Sequence, residues 1–180
     1  VIEIQSITVN NAGKVYIIYK EYEGKKAKES KDDRPAYKIK LIIVDEQTDA
    51  TNQKDIILEL KKDFLTSAGS KVLANGDVVV IGMYSATKKL YTNGVFSLKI
   101  DAKTDSVYNV SKKEFSSDDL DMLNDENNTQ KHKGEEGLNG NFKLIDISYL
   151  KDGSTYVTLE ENYSYTVSSY NGRTWTYTTY

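Results

Sequence analysis

The chain contains no cysteine, one histidine (His132), one proline (Pro35) and one tryptophan (Trp175). Without cysteine there are no disulfide staples and no thiolate metal ligands, and a single histidine leaves no zinc site of ordinary composition. Nucleophilic catalysis of the Ser-His-Asp or Cys-His kind needs an imidazole poised beside its nucleophile. His132 instead sits in the polar stretch Gln130-Lys-His-Lys133, where a solvated surface side chain is the simpler reading. Basic excess is also missing: 24 Lys and Arg face 27 Asp and Glu, a formal net charge of −3, which argues against a dedicated nucleic-acid binder. No apolar run approaches the ~20 residues of a membrane helix. The longest, Leu41–Val44 and Val78–Ile81, read as strands. There is no glycine-rich phosphate loop, since Gly134 and Gly137 lie among acids.

What is present is a globular composition, 38% hydrophobic and 28% charged, in 180 residues. That is one domain's worth of chain. Tyrosine is used 14 times against 4 phenylalanines, a bias suited to half-buried strands in which one end of the ring stays wet. The chain opens at Val1 already in an alternating pattern and stops at Tyr180 inside a strand-like segment. The expectation is a processed chain or an incomplete stretch of a longer one.

Three segments share one plan: Ile7–Tyr19 around Gly13, Ser70–Gly82 around Gly76, and Ile147–Leu159 around Gly153. Each is a short strand, a polar turn ending in glycine, and a hydrophobic strand; glycine suits a turn that needs positive φ. The first two stay in step further on. Ile39–Asp45 matches Val95–Asp101, and both run into an Asp-x-x-Thr-Asp turn, Asp45–Asp49 and Asp101–Asp105. Both units then close on Lys61-Lys-Asp-Phe64 and Lys112-Lys-Glu-Phe115. Four hairpin-connected antiparallel strands repeated in series describe a propeller blade.

The expected fold is therefore all-β, with four-stranded blade-like units forming a β-propeller or part of one and a single short helical insertion. Another meander or sandwich is the alternative. The units are set at 1–69 and 70–115, the insertion at 116–140, and a third, incomplete unit with a long β-ribbon at 141–180. The insertion opens with Ser117-Asp-Asp-Leu120, an N-cap followed by early acids, so a helix is expected over about 117–126. The loop Glu23–Pro35 is a charged insertion, its counterpart Ala86–Asn93 is short, and Asn171-Gly172 signals a two-residue hairpin turn. Such a turn sets Ser168 opposite Trp175 and Thr166 opposite Tyr177.

Paired carboxylates can serve glycoside hydrolysis, and Glu160 and Glu161 follow an apolar strand. Strand-end charges facing water are the simpler account. Asp45/Asp49 and Asp101/Asp105 offer too few oxygens for calcium without backbone help and read as turn caps; Asp118, Asp119, Asp121 and Asp125 lack EF-hand spacing. Asn109, Asn127 and Asn162 begin N-glycan acceptor triplets of a kind expected by chance in so polar a chain. No catalytic, cofactor-binding or metal-binding residue is assigned. The ribbon aromatics Tyr163, Tyr165, Trp175 and Tyr177 are the candidate ligand or partner contacts, because exposed Trp and Tyr stack on sugars and anchor protein partners. Packing on a neighbouring blade or subunit is the alternative.

Residues Ala74–Tyr84, Gly94–Asp101, Lys113–Ser117 and Leu150–Ser154, leading to Glu161 and the ribbon, resemble a group of long Bacteroidetes-type envelope proteins with propeller-like repeats. In that group the ribbon runs into a further strand ending in Lys-x-Asp, which is not found here. The resemblance implies a bacterial envelope or exported setting and a chain that continues or joins a complex. It implies no chemistry. The functional expectation is a non-enzymatic binding or scaffold module for an unknown protein or glycan. The alternatives are a glycan-active propeller enzyme using carboxylates such as Glu161, and a structural subunit of an envelope assembly.

Overall fold

The computed structural model describes residues 1–24, 27–28, 30–45, 54–57, 60, 62–88, 91–123, 137–138, 142–150, 154–161, 166–170 and 175–179. The fold is all-β with antiparallel sheets. The first sheet runs in the order β1 (Ile2–Val9), β2 (Val15–Tyr22), β5 (Tyr37–Val44), β6 (Lys54–Ile57). Between β2 and β5 lies a small ribbon, β3 (Ser30–Lys31) and β4 (Arg34–Pro35), whose turn residues Asp32 and Asp33 have φ of 52° and 58°. The second sheet is β7 (Phe64–Val72), β8 (Val78–Ser85), β9 (Gly94–Ile100) and β10 (Val107–Glu114), in spatial order of sequence. After helix α1 (Ser117–Leu123) come the pair β11 (Phe142–Tyr149) and β12 (Thr155–Glu161), then the pair β13 (Thr166–Tyr170) and β14 (Trp175–Thr179).

The first hairpin of each of these three groups closes alike. The N–H of Asn10 reaches Lys14 O at 2.9 Å, that of Leu73 reaches Asp77 O at 2.7 Å, and that of Leu150 reaches Ser154 O at 2.9 Å. Gly13 and Gly76 take φ of 83° and 90° in the first two turns, a conformation that strains any residue with a Cβ. Asn10 Oδ1 caps its turn by accepting the N–H groups of Ala12 and Lys14. The leading strand of each group also carries a register shift, between Ile4 and Ser6, Leu65 and Ser67, and Leu144 and Asp146. Such bulges bend and twist a strand.

Alternation decides how the sheets meet. On β2, Tyr16 and Ile18 stand opposite Ile43 and Leu41 of β5. This face packs on the Val78, Val80, Leu98 and Ile100 face of the second sheet. The other face of β8, through Val79 and Ile81, meets Leu144, Ile147 and Val157 of the third group. Every residue of β8 is consequently buried, as expected for a strand covered on both sides. Each fully buried aliphatic or aromatic side chain of this kind contributes ~1.5–3 kcal/mol before chain entropy is counted.

Several boundaries differ from expectation. The limit set between residues 69 and 70 falls inside β7, and Phe64 opens the second sheet rather than closing the first. Phe64 is buried and pairs with Ser85, so its burial belongs to the strand it begins. Helix α1 is described over Ser117–Leu123, the expected residues 124–126 lying outside the described residues, and its cap is Ser116 rather than Ser117: Ser116 Oγ accepts the Asp119 N–H while Asp119 Oδ2 accepts the Ser116 N–H. That is a capping box with Asp in the usual Glu place. The insertion returns through Leu138, whose backbone exchanges two 2.8 Å hydrogen bonds with Thr92. The ribbon pairs Tyr170 with Trp175 and Ser168 with Tyr177, a register two residues away from the expected Ser168–Trp175 pairing, and the expected Asn171-Gly172 turn lies outside the described residues. The described residues show no closed sheet.

Candidate interaction surface

Of the four ribbon aromatics, Trp175 and Tyr177 lie on β14 opposite Tyr170 and Ser168. Tyr163 and Tyr165 lie outside the described residues, as do His132, Asp49, Asp125, Asn127 and Asn162. Glu160 and Glu161 pair with Lys143 and Phe142 at the end of β12, and Glu160 is exposed. Asn109, also exposed, sits at the register shift of β10 with φ of 49°. Asp118 and Asp119 are in the first turn of α1, where acids oppose the helix dipole favourably.

The Asp101–Asp105 turn is held by its own first residue. Asp101 Oδ1 accepts the N–H of Lys103 at 2.9 Å, the N–H of Thr104 at 2.7 Å and the Thr104 hydroxyl at 3.0 Å. These bonds, the Thr104 backbone first, keep its carboxyl below the usual range. Among the described residues no group of three or more His, Cys, Asp or Glu side chains is placed to hold a metal.

Two polar braces were not legible as such in the sequence. Lys14 reaches from the first hairpin turn into the second sheet, with Nζ 3.1 Å from Ala102 O and 3.0 Å from Asp105 Oδ1. Asp45 Oδ2 lies 3.8 Å away. Burial opposes the charge on Lys14, but the Asp105 hydrogen bond and the two carboxylates outweigh it and hold the ammonium pKa above its ordinary value. Asp77 is buried and accepts from Tyr108 Oη at 2.6 Å, Asn75 Nδ2 at 2.7 Å and Ala102 N at 3.0 Å. Tyr108, Ala102 and Asn75 together hold the Asp77 carboxyl low, and Asp77 pushes the Tyr108 phenol up to about 12. A carboxylate so committed is a poor general base, and a phenol so held donates rather than ionises. The signal available in sequence was positional: Lys14 and Asp77 each follow the turn glycine directly.

The apolar surface is distributed unevenly. On β1, Ile2, Ile4, Ile7 and Val9 are all more than half exposed, and register puts Ile4, Ile7 and Val9 opposite Tyr19, Ile17 and Val15. They form one row on the face of the first sheet turned away from the second. The opposite face of β1 is polar and engaged: Ser6 and Thr8 hydroxyls lie 2.8 and 2.6 Å from Ser70 Oγ. At the far end of the stack Tyr156 is exposed on β12. A row of large apolar side chains in water marks an interaction site more often than chance.

No family model, curated protein or solved structure matches the chain. No helix among the described residues is long and apolar enough to cross a membrane.

Proposed function

We propose that the chain is a segment of a β-propeller that acts as a non-enzymatic binding or scaffold module of a bacterial envelope or exported protein. The observation that carries this reading is the order of the faces. The Tyr16/Ile18 face of the first sheet packs on the Val78/Val80 face of the second, and the Val79/Ile81 face of the second packs on the third group through Val157. Counted from the start of β2, β8 and β12, the second and fourth positions of one sheet meet the third position of the next at both junctions. A propeller is built of four-stranded sheets packed face to face around a central channel, and face-to-face packing of successive sheets is what supports that reading here. Further support comes from the shared turn closures and from β1, β7 and β11, the bulged leading strands, lying side by side through their β1–β7 and β7–β11 contacts. The envelope setting rests on the sequence resemblance.

For the binding role the ribbon supplies the ligand contacts, with Trp175 and Tyr177 on one strand at alternate positions. Its test is a glycan panel probed with the purified chain, read both for retention and for product. Retention without turnover, lost in Trp175→Ala and Tyr177→Ala, is expected. Product release from any member of the panel would sink the non-enzymatic reading.

A further inference from the structure

The exposed row on β1 has a covered counterpart in the same molecule. In the first hairpin Ile2, Ile4, Ile7 and Val9 stand opposite Glu21, Tyr19, Ile17 and Val15. In the third group Phe142, Leu144, Ile147 and Tyr149 stand opposite Glu161, Leu159, Val157 and Thr155. The register shift falls at the same step in both, between Ile4 and Ser6 and between Leu144 and Asp146. The two hairpins correspond residue for residue, and Ile7 is the counterpart of Ile147. Their burial differs. Ile147 is 3% exposed and packs with Val79 and Ile81 of the preceding sheet, Leu144 and Val157 beside it, whereas Ile7 is 57% exposed. The covering sheet comes so close that a Cβ on Gly69 of β7 would lie 2.6 Å from Leu144 Cδ2 and 3.4 Å from Ile147 Cδ1. Ser67 Oγ also accepts the Leu144 N–H at 3.1 Å. The corresponding face of the second sheet, Val78 and Val80, is covered in turn by Tyr16 and Ile18 of the first. In both cases the cover is the sheet that comes before it in the chain.

Resting on the propeller reading, we infer that the Ile2/Ile4/Ile7/Val9 face is the docking site of one more blade-like sheet, carried by the same polypeptide ahead of Val1. The chemistry of this occupant follows from the two junctions in which its counterparts act. Tyr16 and Ile18, like Val79 and Ile81, fill the second and fourth places of the second strand. Ser6 and Gly69 hold one corresponding place on the leading strand. The covering sheet therefore carries apolar side chains at the places of Tyr16 and Ile18. At the place of Ser6 it carries a residue no larger than serine, lying against Ile4 and Ile7 as Gly69 lies against Leu144 and Ile147. A contiguous apolar row is the kind of surface that such a sheet removes from water.

The test uses the native polypeptide, with whatever residues precede Val1, and three single variants, Ile7→Cys, Ile147→Cys and Val110→Cys. Val110, exposed on the edge strand β10, marks the rate of a free thiol. Alkylation by iodoacetamide is followed at each site by peptide mass spectrometry. The Ile7→Cys thiol is expected to react as slowly as that of Ile147→Cys and on the order of a hundredfold more slowly than that of Val110→Cys, because a covered thiol reacts only through local opening. The photo-reactive residue benzoylphenylalanine in place of Val9, at the end of the row, identifies the cover. Its cross-link should run within one polypeptide, to a peptide ahead of Val1 that carries the small and apolar residues at the places named. A polypeptide that begins at Val1 overturns the inference. So does an Ile7→Cys thiol as reactive as that of Val110→Cys, or a cross-link to a second copy, to another protein, to residues after Tyr180 or to nothing. The Ile147→Cys thiol separates the two levels of failure. If it is slow while Ile7→Cys is fast, the stack and the propeller reading stand and only the preceding sheet is lost; if it is fast as well, both are lost.

Discussion

Tyr108 Oη donates to Asp77 Oδ2 at 2.6 Å, tying the edge strand β10 to the turn between β7 and β8. Asp77 is buried and is the acceptor for two further donors, so the phenol is one of three groups that keep its charge tolerable. Tyr108→Phe removes that donor without changing the ring. The expected loss is ~1–3 kcal/mol, the usual cost of depriving a buried carboxylate of a partner. The pH dependence has two windows. The Asp77 carboxyl is lowered in the fold from 3.8, so its contribution is present above that value and fades as pH falls through the lower folded value. The Tyr108 phenol is raised from 10.0 to about 12, so its contribution is complete below pH 10 and is lost as pH rises toward 12. Urea denaturation of the parent and Tyr108→Phe across pH should show the alkaline loss in the parent and a flatter alkaline limb in the variant.

Lys14 joins the first two sheets at their turn edge, away from the apolar contact. Replacing it with Met keeps the stem and deletes the ammonium that serves Ala102 O and Asp105 Oδ1. The expected destabilisation is about 1–2 kcal/mol. Its pKa is raised in the fold, so the parent should lose this stabilisation as pH climbs above 10.5, and Lys14→Met should not. If the two lose stability in parallel, the Lys14 brace contributes nothing.

Local chemistry explains what could be read in advance. The glycine turns were visible because Gly13 and Gly76 need positive φ, and the antiparallel strands because Tyr37–Val44 and Gly94–Ile100 alternate buried and less buried positions. The edge between the first two groups was misplaced at Ser70. A strand such as Phe64–Val72, containing Gly69 and two serines, has too weak a hydrophobic pattern to announce its start. The ribbon register differs because Asn171-Gly172 favours a two-residue turn locally, which would pair Ser168 with Trp175, whereas Trp175 stands opposite Tyr170. The apolar row on β1 is four ordinary strand residues in sequence. Only the stacking direction shows that their face has no neighbour among the described residues. The Asp77–Tyr108 pair spans 31 positions and has no local signature.

Gly94 and Gly69 differ in what a methyl group would meet. A Cβ at Gly94 would strike Lys113 O and lie 2.9 Å from Glu114 Cα, both backbone atoms of β10. At Gly69 the nearest atom is Leu144 Cδ2 at 2.6 Å, the tip of a side chain that can rotate. Gly94→Ala is therefore expected to cost about 3 kcal/mol through displaced backbone. Gly69→Ala should cost under ~1 kcal/mol, because some of its strain is offset by reduced freedom of the unfolded chain. Melting curves of the two variants give the comparison, and equal losses would mean that β10 yields as readily as the Leu144 side chain.

The leading strands offer a direct probe of the stacking that the propeller reading requires. Ser6 Oγ and Ser70 Oγ lie 2.8 Å apart across 64 positions of sequence, joining β1 to β7. Because the chain has no cysteine, Ser6→Cys with Ser70→Cys introduces the only two thiols. Oxidation should yield a single intramolecular disulfide, seen as a faster-migrating band that reverts with reductant, and it should stabilise the fold by ~4 kcal/mol if the closed loop acts through the unfolded chain. As a control, Ile7→Cys with Ser70→Cys places one thiol on the exposed face of β1, pointing away from β7, and should remain reduced within one chain. Equal oxidation of both pairs would mean that β1 is free to turn over against β7, and the fixed face order on which the functional reading stands would be lost.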